Sequence, residues 1–253
     1  RRVRTSAMGR HDDPPDVALS KRLSRLLRHR VAENGLAPVL SPDGFVPLDA
    51  LLALPAFRGT TGRDVARIVV NDAKRRFSLR RAPAAAGAGP AVHAEGPEQE
   101  LPMDGAGWQV RANQGHTIQG VEDDALLAPL RPDPLAPPLL AVHGTTRSAL
   151  GGIAASGGLL RMARRHVHLA RGLPGSSGVV SGMRAASQVH VWVDVTAAAQ
   201  CVTFFESENH VLLTPGEGPE GLLPARFFVR VVDARTGEAI PGPWGERAPP
   251  APA

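Results

Sequence analysis

Between Asp123 and Pro138 the chain carries Pro129, Pro132, Pro134, Pro137 and Pro138, and this run limits its possible folds more than any other feature. Proline lacks a backbone N–H and fixes its own φ, so neither a helix nor an inner strand passes through such a stretch. Hydrophobic periodicity also changes across it. Upstream, Leu19, Leu23, Leu26 and Leu27 recur at helical spacing. Downstream, short apolar runs alternate with Gly- and Ser-rich loops, the pattern of strands. With 253 residues, 43% of them hydrophobic, the chain has material for two lobes of about 100 residues each. We therefore expect an α+β chain, with residues 123–138 as a linker between a helix-rich first lobe and a strand-rich second one.

The first lobe is expected over residues 16–122. A helix over 17–29 is followed by Gly35 and Pro38, then by the turn Asp43-Gly44 into a short strand. A short helix over 48–54 and a third from Thr61 through Val65, Ile68 and Val69 lead, by way of Lys74-Arg75-Arg76, into a strand at 77–79. Residues 82–105 are Ala-, Gly-, Pro- and Glu-rich without periodicity and read as a flexible insertion. The strand pattern resumes at Trp108-Gln109-Val110-Arg111, as the hairpin partner of 77–79. That order of elements is winged-helix-like. The second lobe, 139–235, has candidate strands at 139–143, 166–169, 189–195, 210–214 and 227–232, with one helix over 147–155. Residues 1–15 and 236–253 are expected as tails.

Lys and Arg number 29 against 24 Asp and Glu, a net charge of only +5, and nearly all of the positive charge is Arg. Arg presents a planar fork that matches phosphate oxygens, although an Ala-, Gly- and Pro-rich composition gives Arg bias of its own accord. Placement therefore decides. Arg and His gather in four clusters with few carboxylates: Arg28-His29, the run from Arg111 to His116, His143-Gly144-Thr145, and the run from Arg164 to Leu169. Three of them have an ordinary structural reading. Arg28-His29 can cap a helix dipole, the 111–116 run can be a polar turn, and His143 can sit in a common loop. Four clusters of one chemistry point instead to an anion, phosphate above all, with the Gly144 and Thr145 amides facing it from a helix N-terminus. His166 and His168 would share a strand face, but no acid or Cys stands at ligand spacing, and Arg164 and Arg165 oppose a cation. No metal is expected.

Cys201 is alone, so neither a disulfide framework nor a cysteine zinc site is expected. No apolar run has the length of a membrane span, and we expect an intracellular protein, cytoplasmic or nuclear; an Arg-rich organellar leader is the alternative. A phosphate loop, a GxSxG elbow and paired catalytic carboxylates are missing, and no GxGxxG leads from a strand into a helix, which removes the main support for kinase, dehydrogenase, hydrolase and glycosidase readings.

Six ordered segments carry a family resemblance: Ser20 to His29, Gly44 to Leu52, Arg111 to Thr117, His143 to Thr145, Met162 to Ala170 and Asn209 to Gly216. Together they resemble the RNA 2′-phosphotransferase family, NAD-dependent enzymes that remove a splice-junction 2′-phosphate from tRNA. Residues 178–184 are similar to its eukaryotic branch. The resemblance implies a C-terminal ADP-ribosyltransferase-like lobe beside the winged-helix-like one, the site lying between them. It implies a catalytic set of Arg28, His29, Arg111 and Arg164, and NAD held by His143, Gly144, Thr145, His168, Asn209 and Val211. Substrate contacts fall to Asn113, Gln114, His116 and Arg165. The implied course passes through an ADP-ribosylated RNA phosphate and ends in 2′-OH RNA, nicotinamide and ADP-ribose 1″,2″-cyclic phosphate, with NAD consumed. Its partners would be 2′-phosphorylated RNA and NAD, the chain a monomer away from membranes. His210 departs from the family, where Gly is common. Three other readings are ADP-ribosylation of terminal RNA or DNA phosphates, a non-catalytic winged-helix RNA-binding protein, and a metal hydrolase using His143, His166 and His168.

Overall fold

The leucine stripe folds as α1 (Pro15–His29), with Leu19, Leu23, Leu26 and Leu27 all buried. Pro15 sits at the first helical position, where its missing N–H would have had no partner in any case. The computed structural model describes residues 13–82, 101–176, 179, 183 and 186–244. After α1 come β1 (Val46–Pro47), α2 (Leu48–Leu52) and α3 (Gly62–Asn71). Thr61 starts α3 with a reciprocal cap: its hydroxyl accepts from the Asp64 amide, and the Asp64 carboxylate accepts from the Thr61 amide at 2.9 Å. Then β2 (Phe77–Arg81) pairs antiparallel with β3 (Trp108–Ala112), register Phe77↔Ala112, in a sheet ordered β1-β3-β2. One face of that sheet, with Phe77, Leu79, Val110 and Ala112, joins the three helices in the first core. Fully burying Phe77, Leu79 or Val110 is worth roughly 1.5–3 kcal/mol, and the Ala112 methyl less. Alternation turns Ser78, Arg80, Gln109 and Arg111 to the other face.

Most of the expected insertion, residues 83–100, lies outside the described residues. Its expected end at 105 is corrected: Leu101 is in the first core, and the Met103 carbonyl accepts from the Gly62 amide at 2.7 Å. The chain therefore docks on the start of α3 before re-entering the sheet.

The proline run is not a bare linker. It holds α4 (Asp123–Leu126) and β4 (Ala128–Leu130), and Pro129 lies opposite Phe205 in the last strand of a seven-stranded sheet. An edge is where a sheet tolerates proline, because the missing N–H faces no neighbour. The chain continues through β5 (Leu140–Thr145), α5 (Leu150–Ala155), β6 (Gly158–Leu160), β7 (Val167–Ala170), β8 (Val189–Asp194) and α6 (Val195–Ala198). It closes with β9 (Phe204–Glu206), β10 (Val211–Thr214), β11 (Leu222–Pro224) and β12 (Phe228–Asp233). The large sheet is ordered β12-β8-β5-β7-β10-β9-β4 with antiparallel pairings, and β11 pairs with β6 apart from it. The α+β class is as expected.

Residues 236–244 do not form a tail either, since Ile240 and Trp244 pack on the second core and Ala239 bridges Val232. Residues 1–12 and 245–253 of the expected tails, and most of the 178–184 run, lie outside the described residues. A smaller cluster of Val121, Leu126, Leu127, Phe205, Val211 and Leu213 joins the halves, with Leu40 and Ile118 touching both it and the first core.

Candidate functional site

Arg28 and His29 end α1, where the helix runs out against the turn after β3. The Thr117 amide donates to the Arg28 carbonyl at 2.9 Å, and the Thr117 hydroxyl lies 2.9 Å from His29 Nδ1. Gly115, at φ 82°, passes under the Arg28 guanidinium, and an added Cβ there would stand 3.6 Å from its Nε. That Nε is buried and finds no partner among the described residues. A cavity of about 590 Å³ opens beside them, with Arg25, Arg28 and His29 on the α1 wall and Asn71, Asp72 and Arg76 on the other. Burial, then the charges of Arg164 and Arg76, push Arg28 down to about 10, while Asp72 pulls the other way. Two guanidiniums this near an already buried third form a site short of negative charge.

Arg164 stands in the turn before β7, and its charge is felt on both sides of the molecule. It lowers Arg28 and His29 from the first half, and His143 and His168 from the second, burial being the largest cause for each. These five residues are therefore brought into one electrostatic neighbourhood. β5 and β7 pair at Val142↔Ala170, and next to that pair the His143 ring takes the His168 carbonyl, Nδ1 donating at 2.9 Å. His168 in turn directs Nδ1 at the His166 carbonyl, 3.0 Å away, and is held down to about 3 by burial and by Arg164. Each ring is thus neutral near pH 7 with its proton on Nδ1, which leaves Nε2 an acceptor. Two acceptors beside a cluster of guanidiniums suit a ligand with both hydroxyls and phosphates. Such a donor set fits a dinucleotide.

Arg111 is the remaining member of the expected catalytic set. It is 7% exposed, with Nη2 on Glu208 at 2.8 Å, Nη1 on the Asp43 carbonyl at 3.0 Å, and its guanidinium over the Phe45 ring. It borders a separate cleft of about 780 Å³ together with Arg171, Glu206, Glu208 and His210. His116 links the two regions. Burial, then Arg28, Arg165, Arg111 and His29, hold that ring down to about 3, and its buried Nε2 has no partner among the described residues.

The remaining expected contacts are committed to protein partners, Asn113 within the first half and others across the seam between the halves. Asn113 bridges the Arg75 carbonyl and the Ser78 hydroxyl, Gln114 meets the Ser207 hydroxyl at 2.8 Å, and Arg165 pairs with Asp123 at 3.0 Å and reaches the Val121 carbonyl. Asn209 is fully buried, its amide donating to the Lys74 carbonyl at 2.9 Å and its oxygen facing Ser207. Gly144 and Thr145 correct another expectation. They stay in the β5 ladder opposite His190 and Val189, and a 3-10 turn at Arg147–Ala149 intervenes before α5, so neither amide caps a helix. Val211 is wholly buried in β10. His166 and His168 also diverge, His166 pointing Nε2 at Asp123, 3.1 Å away. Among the described residues no three His, Cys, Asp or Glu gather as metal ligands, and no helix is long and apolar enough to cross a membrane.

Sequence reasoning missed Arg76, Asp72 and Glu208. The basic run Lys74-Arg75-Arg76 was visible, but only the packing of α3 on α1 turns Arg76 toward Arg28. Glu208 carried no signal, because its partners Arg111 and Ser78 lie in the other half.

Comparison with known proteins gives a consistent result. A model of the family described as RNA 2′-phosphotransferase, Tpt1 / KptA family, matches residues 14–216. The tRNA 2′-phosphotransferase 1 of Bos taurus is 42% identical over 225 residues, covering 88% of this chain and 78% of that protein. Its Homo sapiens counterpart is 40% identical over 213 residues, 84% of this chain and 74% of the human protein. The tRNA 2′-phosphotransferase of Saccharomyces cerevisiae is 32% identical over 225 residues, 87% and 85% of the two.

Proposed function

This chain belongs to the RNA 2′-phosphotransferase family and is a transferase, and from that premise we propose that it removes the splice-junction 2′-phosphate of a tRNA and passes it to NAD. The observation that carries this reading is the shared field of Arg28, His29, Arg164, His143 and His168. NAD would supply the electrophilic ribose carbon: the 2′-phosphate would displace nicotinamide from it, and the ribose 2″-OH would then attack phosphorus, expelling the RNA 2′-oxygen and leaving ADP-ribose 1″,2″-cyclic phosphate. The donor set described above fits that co-substrate, with His143 and His168 offering Nε2 to ribose hydroxyls.

A 2′-phosphate is already an anion, so its attack needs no carboxylate base. What it needs is orientation. Arg28 and Arg164 provide charge-assisted hydrogen bonds, and Arg76, ion-paired with Asp72 at 2.7 Å, lines the far wall of the cavity beside Arg28. Arg111 acts from behind, through the field it sets at His116 and the seam it forms with Glu208. Guanidiniums stay protonated near neutral pH, so proton transfer to the departing RNA oxygen falls to His29. In the free protein burial, and then the Arg28 and Arg164 charges, keep His29 below its ordinary pKa. A docked phosphate offsets those charges and favours the imidazolium, so protonation of His29 is coupled to substrate binding. The winged-helix-like half supplies α1 and its basic wall to the RNA, and the ADP-ribosyltransferase-like half supplies the NAD side.

The test is incubation with a 2′-phosphorylated oligonucleotide, with and without NAD, followed by mass analysis. Loss of the phosphate only when NAD is present, with nicotinamide released, is the expected result. Phosphate loss without NAD defeats the reading. A stable ADP-ribosylated end assigns the chain to phosphate ADP-ribosylation instead.

A further inference from the structure

The segment Asn209 to Gly216 ends in Thr214-Pro215-Gly216, a turn to which the reading of the site gives no task. It lies against the loop that bears Arg164. Gly216, at φ 74°, is so close to Gly221 that an added Cβ would stand 2.3 Å from the Gly221 carbonyl carbon. Gly221, at φ 68°, leaves the space in which Arg161 runs, because a Cβ there would stand 2.3 Å from Arg161 Cδ and 2.4 Å from the Pro215 carbonyl oxygen. Both glycines are therefore required twice, by left-handed backbone and by close approach.

Arg161 uses that space to close the Arg164 turn from outside. Its amide donates to the Gly221 carbonyl at 3.0 Å, and its Nη1 and Nη2 donate to the Arg164 and Pro219 carbonyls, each at 2.9 Å. From inside, the Arg164 amide donates to the Arg161 carbonyl at 3.1 Å. Between them Met162 is held at φ 56°, a backbone conformation that L side chains avoid unless their surroundings impose it. One planar guanidinium spanning two carbonyls on different loops is a task that the point charge of a lysine does not reproduce.

We propose that Arg161 is a positioning residue for Arg164. Its guanidinium ties the Arg164 turn to the Pro219 loop, and so fixes where the Arg164 charge meets the substrate phosphate. The inference rests on the reading that Arg164 meets the 2′-phosphate.

The test measures affinity of the full chain, without NAD, for a 2′-phosphorylated oligonucleotide and for the same oligonucleotide with a plain 2′-OH. Four proteins are compared: wild type, Arg161→Met, Arg164→Ala and the double variant. Arg161→Met is expected to weaken the phosphorylated ligand roughly tenfold, the scale of coupling between neighbours, and to leave the 2′-OH ligand unchanged. In the Arg164→Ala background it is expected to change neither. Equal weakening of both ligands, equal loss in both backgrounds, or no loss at all overturns the proposal. Should Arg161→Met fail to fold, Arg161→Lys carries the same comparison. A wild type that binds both ligands alike defeats the reading of the site itself, and the brace with it.

Discussion

Arg28 and Arg164 approach one another from opposite halves of the chain, and the residues caught between them inherit the consequences. His29 is the one member of that cluster able to give up a proton near neutral pH while still reaching solvent. His29→Ala should therefore leave nicotinamide release within about tenfold of wild type while slowing formation of 2′-OH RNA by about 10²–10⁴, the usual worth of a general acid. Single-turnover assays of the two products check this, and equal losses in both steps would remove His29 from the proton transfer. His116 and His168 make a different prediction. Both sit near 3 when folded but titrate near 6.5 when unfolded, so between those values the unfolded chain binds more protons and acid favours it. The stability they contribute is fully present above the unfolded value and lost as pH falls. From pH 7 to 5 the loss is about 2 kcal/mol for each. His116→Gln and His168→Gln, followed by thermal melts at both values, should each flatten that dependence; a slope unchanged from wild type contradicts it. The residue types of the site were legible in the sequence, since Arg28-His29 and Arg164 needed only their clustering to stand out. Arg111 stood out by the same clustering, but not as a residue facing Glu208, because its strand face is settled by which half covers it.

Elements whose signal is local were readable, and elements whose existence depends on a neighbour were not. The α1 stripe, the Thr61 start of α3 and the β2–β3 hairpin follow from spacing and capping chemistry in contiguous sequence. By contrast β4, β6, β9 and β11 are three residues each, too short for any period to show, and they exist because a longer strand or an equally short partner offers them a ladder. Pro129 misled for the same reason, since proline marks a break unless the strand is an edge. The start of α3 shows how local and non-local terms divide. Thr61→Ala removes only the cap and should lower stability by about 1 kcal/mol. Gly62→Ala, one residue on, would put a Cβ 2.3 Å from the Pro102 carbonyl and 2.4 Å from Leu101. Overpacking of that kind costs about 1–3 kcal/mol and displaces the returning chain as well. Denaturant titration of the two variants should rank Gly62→Ala as the more damaging; the reverse order would mean that the 101–105 segment is not seated as described.

At the scale of the molecule, the two halves each have a core, yet the cations of the site come from both, so the seam has to fix their separation. It does so with polar groups. Ser78 and Arg111 meet Glu208, Gln114 meets Ser207, and Asn209 is fully buried with its amide on the Lys74 carbonyl. Buried hydrogen bonds are directional where apolar contacts are not, so such a seam sets register more than it adds strength. Asn209 is the sharpest probe, because it reaches across while touching neither Arg28 nor Arg164. Asn209→Ala leaves the Lys74 carbonyl short of a partner in a dry environment, at about 1–3 kcal/mol, while the Ser207 hydroxyl keeps Gln114 and Val211. That stability should be lost at the seam and not from either core, so calorimetry should resolve one unfolding transition into two as the halves uncouple. kcat/KM should fall further than the shift in midpoint explains, since misplacement by about 1 Å can cost 10²-fold in rate. If the variant instead melts in a single transition and keeps wild-type kcat/KM, the distance between Arg28 and Arg164 is held by the apolar contacts of Leu40, Ile118 and Val211 alone, and the polar seam is incidental to catalysis.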